Sequence, residues 1–211
     1  MRKFFLASVL VVLLSTLGLA QKNIDEYDKV EIFVGYSGAS LVSDDDFEPI
    51  DNGINVSAVY NIHRYFGIKV DVSGTFKTIE GDYFSPFTEP QLNPPSRYSA
   101  DHSLYNATIG VQFKNNKREA LLKPFGHVLV GYGKHRDKFT TACPTGAICQ
   151  PFNFDFNGVS LILGGGLDIK INRRIDVRVI QLDVNPIFYK LDQQNFIYPN
   201  TRFSSGIVFK F

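Results

Sequence analysis

Hydrophobic and polar residues alternate with a period of two through most of the chain after residue 20. In "YFGIKVDVSGTFK", Phe66, Ile68, Val70, Val72 and Phe76 fall on one face and Lys69, Asp71, Ser73, Thr75 and Lys77 on the other. "GINVSAVYNI", "LYNATIGVQFK" and "GGGLDIKIN" repeat the pattern. This is the signature of β-strands with one apolar and one polar face, and no helical period competes with it. Eight strands are predicted, near 28–38, 52–63, 65–78, 102–115, 122–136, 156–172, 174–190 and 201–211. Short polar links ("HRY", "NNKREA", "NRR") alternate with long ones that hold most of the prolines. An antiparallel meander with short turns at one end and long loops at the other is the plan of a transmembrane barrel.

In "IDVRVIQLDVNP" strict alternation would turn Gln181 and Asp183 to the apolar side. A β-bulge near Ile180 would return Leu182 and Val184 to that face.

Alternation alone does not say which face is outside. Three features favour apolar-out. The polar face carries opposite charges that would converge in a narrow lumen: Glu31, Lys69, Asp71, Lys114, Asp168, Lys170, Asp176, Arg178, Asp183, Arg202 and Lys210. Buried charges persist when they are paired. Aromatic residues gather near strand ends (Tyr36, Tyr60, Tyr65, Phe66, Phe76, Tyr105, Phe113, Tyr132, Tyr189, Phe209, Phe211), as two interfacial girdles require. The strands also reach the ~9–11 residues that a tilted strand needs to cross hydrocarbon. Eight strands enclose a space that side chains just fill, which disfavours an open pore.

Residues 1–20, "MRKFFLASVLVVLLSTLGLA", set Arg2 and Lys3 before a short apolar run and a small-residue end, the pattern of a cleaved secretory signal peptide. Residues 21–211 then form the barrel domain. Export places Cys143 and Cys149, in "CPTGAIC", in an oxidising compartment, where a local disulfide worth about 2 kcal/mol is expected. A formal net charge of +1 argues against nucleic acid as a partner. The acidic run Asp44–Glu48 offers carboxylates to a divalent cation bridging lipopolysaccharide, but it lacks defined ligand spacing and reads first as a solvated loop.

The closing strand "SSGIVFKF", the strand "KPFGHVLVGYGKH" and the hairpin "GVSLILGGGLDIKINRRIDVRV" together resemble the OmpA/OmpX-type outer-membrane β-barrel family, over essentially the whole mature chain. The resemblance implies an all-β, eight-stranded antiparallel up-and-down barrel in the outer membrane. It implies outer-membrane lipid and lipopolysaccharide as partners, and the barrel-assembly machinery during biogenesis. It also implies that Phe203, Ile207, Phe209 and Phe211 form the C-terminal assembly signal. Larger members continue into a peptidoglycan-binding domain; here the sequence stops as the barrel closes, so wall anchoring is not expected.

The function expected is that of a monomeric, non-enzymatic outer-membrane protein. Its scaffold and external loops, especially Glu80–Ala100 and the segment around Cys143 and Cys149, would serve structural, adhesive or ligand-binding roles. No cofactor, metal or catalytic residue is expected. A small ion or solute channel and a soluble periplasmic ligand-binding barrel remain open. An enzyme would need His102 or His135 to meet Ser99, Asp101 and Asp137 at the loop end.

Overall fold

A computed structural model of the chain describes residues 27–41, 51–83, 96–142, 152–191 and 193–211. The predicted signal peptide, the acidic run Asp44–Glu48, and Cys143 and Cys149 lie outside the described residues.

The strands are β1 (Val30–Leu41), β2 (Asp51–His63), β3 (Phe66–Tyr83), β4 (Ser96–Lys114), β5 (Leu122–Ala142), β6 (Phe152–Lys170), β7 (Ile175–Val184), β8 (Ile187–Leu191), β9 (Gln194–Tyr198) and β10 (Asn200–Lys210). Successive strands pair antiparallel from β1 to β7, β7 pairs with β10, and β10 returns to β1 with Glu31 opposite Lys210 and Leu41 opposite Asn200. The sheet therefore closes into an eight-walled ring. The seventh wall is interrupted at Asn185–Pro186, where β7 gives way to β8, and both pair with β6. The eighth is interrupted at Pro199, between β9 and β10. Proline cannot donate to a ladder, which explains why each interruption falls at one. The predicted strand 174–190 is thus two pieces, and part of the predicted last loop is β9.

The apolar face is outside. Val70 and Val72 are 45% and 53% exposed, whereas Lys69 and Asp71 between them are fully buried. Every wall repeats this, so the exposed belt is built from Val, Ile, Leu and aromatic side chains, the inverse of a soluble barrel. Ring pairs mark its edges: Tyr36 with Phe203 and Phe76 with Tyr105 toward the loops, Phe66 with Phe113 toward the short turns. Tyr189 departs from the expected girdle. It stacks on Phe156 at 4.1 Å and packs against a buried cluster of Ala39, Leu104, Phe156 and Ile187.

The bulge lies at Val179–Ile180, both exposed. Leu167 faces Ile180 while Asp168 already faces Arg178, and on the other side Ser204 faces Gln181 while Gly206 faces Arg178. Two successive outward residues leave Arg178, Gln181 and Asp183 all inside.

Strands β3 to β6 run 18, 19, 21 and 19 residues, well beyond what hydrocarbon requires. Outward residues on these extensions are polar: Thr78, Asp101, Arg136, Lys138 and Asp155. The ladder absorbs both ends of the segment predicted as the Glu80–Ala100 loop, pairing Ile79 with Ala100 and Tyr83 with Ser96. The apolar period fades here because no lipid faces these residues, and cross-strand bonds such as Thr78 Oγ1 to Asp101 Oδ1 (2.8 Å) hold the wall.

Placing a cation on the lipid face separates a membrane barrel from a soluble one. Val70→Arg is expected to destabilise the chain refolded into lipid vesicles by about 2–4 kcal/mol in urea unfolding. A soluble barrel with Val70 facing water would lose almost nothing.

Candidate functional site

Alternation turns every second residue of each strand inward, and the eight walls bring their inward polar residues to one level. At the centre Arg202 of β10 spans the lumen. Its Nε and Nη2 donate to Asp183 Oδ2 at 2.9 and 2.7 Å, and its Nη1 donates to Asp71 Oδ1 and Ser73 Oγ, both at 2.8 Å. Asp183 also faces His127 Nε2 at 2.9 Å and accepts from Gln181 Nε2 at 2.7 Å. Gln181 in turn accepts from Arg178 Nη1 at 2.7 Å. Arg178 grips Asp168 with Nε and Nη2 at 2.8 and 3.2 Å, and its guanidinium lies between the rings of Phe33 and Phe125, 4.3 and 4.2 Å from their centroids. Lys114 bridges Asp168 and Glu31, each at 2.7 Å. Lys69 closes the far side, 3.5 Å from Asp71 Oδ2 and 3.4 Å from His127 Nδ1, and Asn55 Nδ2 donates to Asp71 at 2.8 Å.

Each of the eight walls thus supplies a member of one continuous network. Its four carboxylates (Glu31, Asp71, Asp168, Asp183) match four cations (Lys69, Lys114, Arg178, Arg202), all buried. Nearer the short turns Asp176 takes Lys123 at 3.0 Å and Lys210, and Asp28 takes Arg118 at 2.9 Å.

Ten of the eleven charges expected in the lumen are buried there. Lys170 is the exception. Its strand has reached the turn, and its Nζ donates to the Arg118 carbonyl oxygen at the rim. Sequence reasoning did not place Lys123, His127, Asn55 or Gln181 in this set. On β5 the inward face reads Lys123, Phe125, His127, Leu129, mixing charge with apolar bulk, so period two gave no direction. Among the C-terminal residues, Ile207, Phe209 and Phe211 are exposed on the lipid face and Phe203 is half-buried against Tyr36.

The loop end holds a second cluster. His102 and Asp137 are directly opposite in the β4–β5 register, and His135, two residues before Asp137, shares their inward face. His102 Nδ1 lies 2.7 Å and His135 Nε2 3.3 Å from Asp137 Oδ1. These residues stand above the lipid-facing belt, which ends on β5 at Tyr132. Burial pushes the His135 imidazole below its usual range, Asp137 opposing. Ser99 and Asp101 do not join the cluster: Asp101 points outward to Thr78, and Ser99 lies opposite Glu80 and Thr140 in the ladder.

The sequence profile of the outer membrane protein beta-barrel domain matches residues 9–211. The chain belongs to this outer-membrane β-barrel family. It is accordingly a protein of the outer membrane, and the apolar belt is its lipid contact. No curated protein matches it significantly. The attachment invasion locus protein Ail of Yersinia pestis, solved in complex with the heparin analogue sucrose octasulfate, superposes with a TM-score of 0.56 at 17% identity. That alignment covers 88% of this chain and 99% of Ail. OprG from Pseudomonas aeruginosa (TM-score 0.49, 12% identity, 88% and 97% covered) and Neisserial surface protein A (0.48, 13%, 89% and 100%) are also similar. At these identities Ail supports the family's eight-stranded barrel and nothing finer.

Removing one member of a buried pair strands the other. Arg202→Met is expected to cost about 3–5 kcal/mol in vesicle unfolding, because Asp71 and Asp183 lose their shared cation. Adding Asp183→Asn to Arg202→Met should recover part of the loss.

Proposed function

We propose that the protein is a non-enzymatic, non-conducting outer-membrane scaffold that presents its extended loop-end walls to the outer leaflet and the exterior. One observation carries this reading: the network that joins all eight walls crosses the lumen as paired side chains. Above it the apolar cluster around Leu104, Phe156 and Ile187 supports a second closure. An ion following this path would have to break buried ion pairs and then cross an apolar layer, each step costly without water.

Lys134, Arg136 and Lys138 alternate outward on β5 just beyond Tyr132, at the height where lipid headgroups begin, with Arg136 paired to Asp155. This stripe supports lipopolysaccharide phosphate as the partner of the outer wall. The complex of Ail with a sulfated sugar makes a sulfated or phosphorylated saccharide a reasonable ligand class to test at the loops. The outward row Ile207, Phe209 and Phe211, on the strand that seals the ring against β1, supports the proposed assembly signal.

In planar bilayers the refolded protein is expected to give no stable single-channel steps. Reproducible ohmic steps would replace this reading with the channel alternative. Deletion of Phe211 is expected to lower the heat-modifiable, folded fraction in outer membranes several-fold. Unchanged assembly would remove the role assigned to that residue.

A further inference from the structure

The function proposed above uses the lumen and the outer wall and leaves the inward cluster at the mouth without a role. Three donor atoms, one each from His102, His135 and Asp137, lie within 4.8 Å of one another. A pocket also lined by Asp51, Lys77 and Asn200 opens beside them. We propose that His102, His135 and Asp137 form a binding site for a divalent transition metal of the zinc class, with a coordination position open to this pocket.

The donor chemistry selects the ion. Two imidazoles and one carboxylate suit zinc and its neighbours, whereas calcium and magnesium require an oxygen set. Both edges that meet at the Asp137 carboxylate are near the ones zinc imposes, and the two imidazole donors lie within 4.8 Å of each other. Metal–ligand arms of ~2.0 Å set donor–donor edges of ~3.3 Å in a tetrahedron. His135 Nε2 and Asp137 Oδ1 are already 3.3 Å apart. His102 Nδ1 and the same oxygen, at 2.7 Å, are at hydrogen-bond separation. They must part by roughly 0.6 Å as the ion takes the position between them.

The scaffold supplies rigidity. His135 and Asp137 share one face of β5, His102 faces Asp137 across a continuous ladder, and none of the three is in a loop. The His135 ring is stacked on Phe156 and tilted against Tyr198, both at 4.8 Å, and is 4% exposed, so its Nε2 is aimed before any ion arrives. His102, with a side chain 23% exposed, is the less enclosed of the two imidazole ligands. Lys77 and Asp51 on the pocket wall carry opposite charges and leave the site without a strong local bias. Among the described residues His135 Nδ1 has no hydrogen-bond partner, so none of them gives this ligand the outer support that tightens metal sites. The expected affinity is therefore about 10- to 100-fold weaker than that of a fully supported site of the same ligands.

The test uses the full mature chain, untagged and refolded in detergent, with zinc chloride competed against a chromophoric chelator. One Zn²⁺ per chain is expected. His102→Ala, His135→Ala and Asp137→Asn should each weaken binding at least ~10-fold, since loss of an outer-shell partner alone costs that much. His63→Ala, at the short-turn end, should change nothing. Heat-modifiable migration checks folding; if His135→Ala does not fold, the more exposed His102→Ala decides. With Cu²⁺ as probe, paramagnetic resonance should show two imidazole nitrogens in wild type and one in His102→Ala. Absence of stoichiometric binding would overturn the proposal. So would binding that survives in His102→Ala but disappears in a Cys143→Ser, Cys149→Ser variant.

Discussion

Eight ionised side chains withdrawn from water into one lumen persist only as a mutually paired set, and the rest of the barrel is arranged around that requirement. An isolated buried charge would cost several kcal/mol. Here each carboxylate of the central network meets at least one cation, and Arg178 and Arg202 each hold a carboxylate with two of their nitrogens. Pairing fixes register as well. Because side chains alternate with period two, a slip of one residue in any wall would send Lys69, Asp71 or Arg202 into lipid. The network and the apolar belt therefore specify the same alignment from opposite faces.

The bulge at Val179–Ile180 shows the constraint acting on the backbone. Arg178 and Asp183 are an odd number of residues apart, so a regular strand could bury only one of them. Two successive outward residues admit both, with Gln181 between them as a neutral bridge. Directly across from Asp183 on β6, Gly164 keeps the space clear. A Cβ there would fall 2.1 Å from Asp183 Oδ1, which only a residue without a side chain avoids. A glycine in mid-strand, weak as a strand former, is here the condition for a carboxylate to reach the centre.

Much of this was legible in the sequence. Alternation gave all eight walls and the inward direction of most charges, and the slipped period in "VRVIQLDV" located the bulge. What escaped detection has a common physical origin. Inside a narrow barrel a large apolar ring is as acceptable as a charge, so Phe33 and Phe125 face inward around Arg178, and alternation on β5 could not orient Lys123 or His127. Beyond the membrane nothing enforces an apolar face, so the extensions of β3 to β6 looked like loops. The mouth cluster is half legible: the sequence marks His102, His135 and Asp137 as loop-end candidates together with Ser99 and Asp101, and only the β4–β5 register shows which of them meet.

The central claim is that lipid meets the apolar face while the charged face is sealed from both lipid and water. Spin labels placed singly at positions 69, 70, 71 and 72 of the protein in bilayers measure this directly, by collision with oxygen in lipid and with a nickel chelate in water. The account requires high oxygen accessibility at 70 and 72 and little access by either reagent at 69 and 71. Water access at 69 and 71 would indicate an open lumen, and water access at 70 and 72 would contradict the membrane-facing barrel altogether.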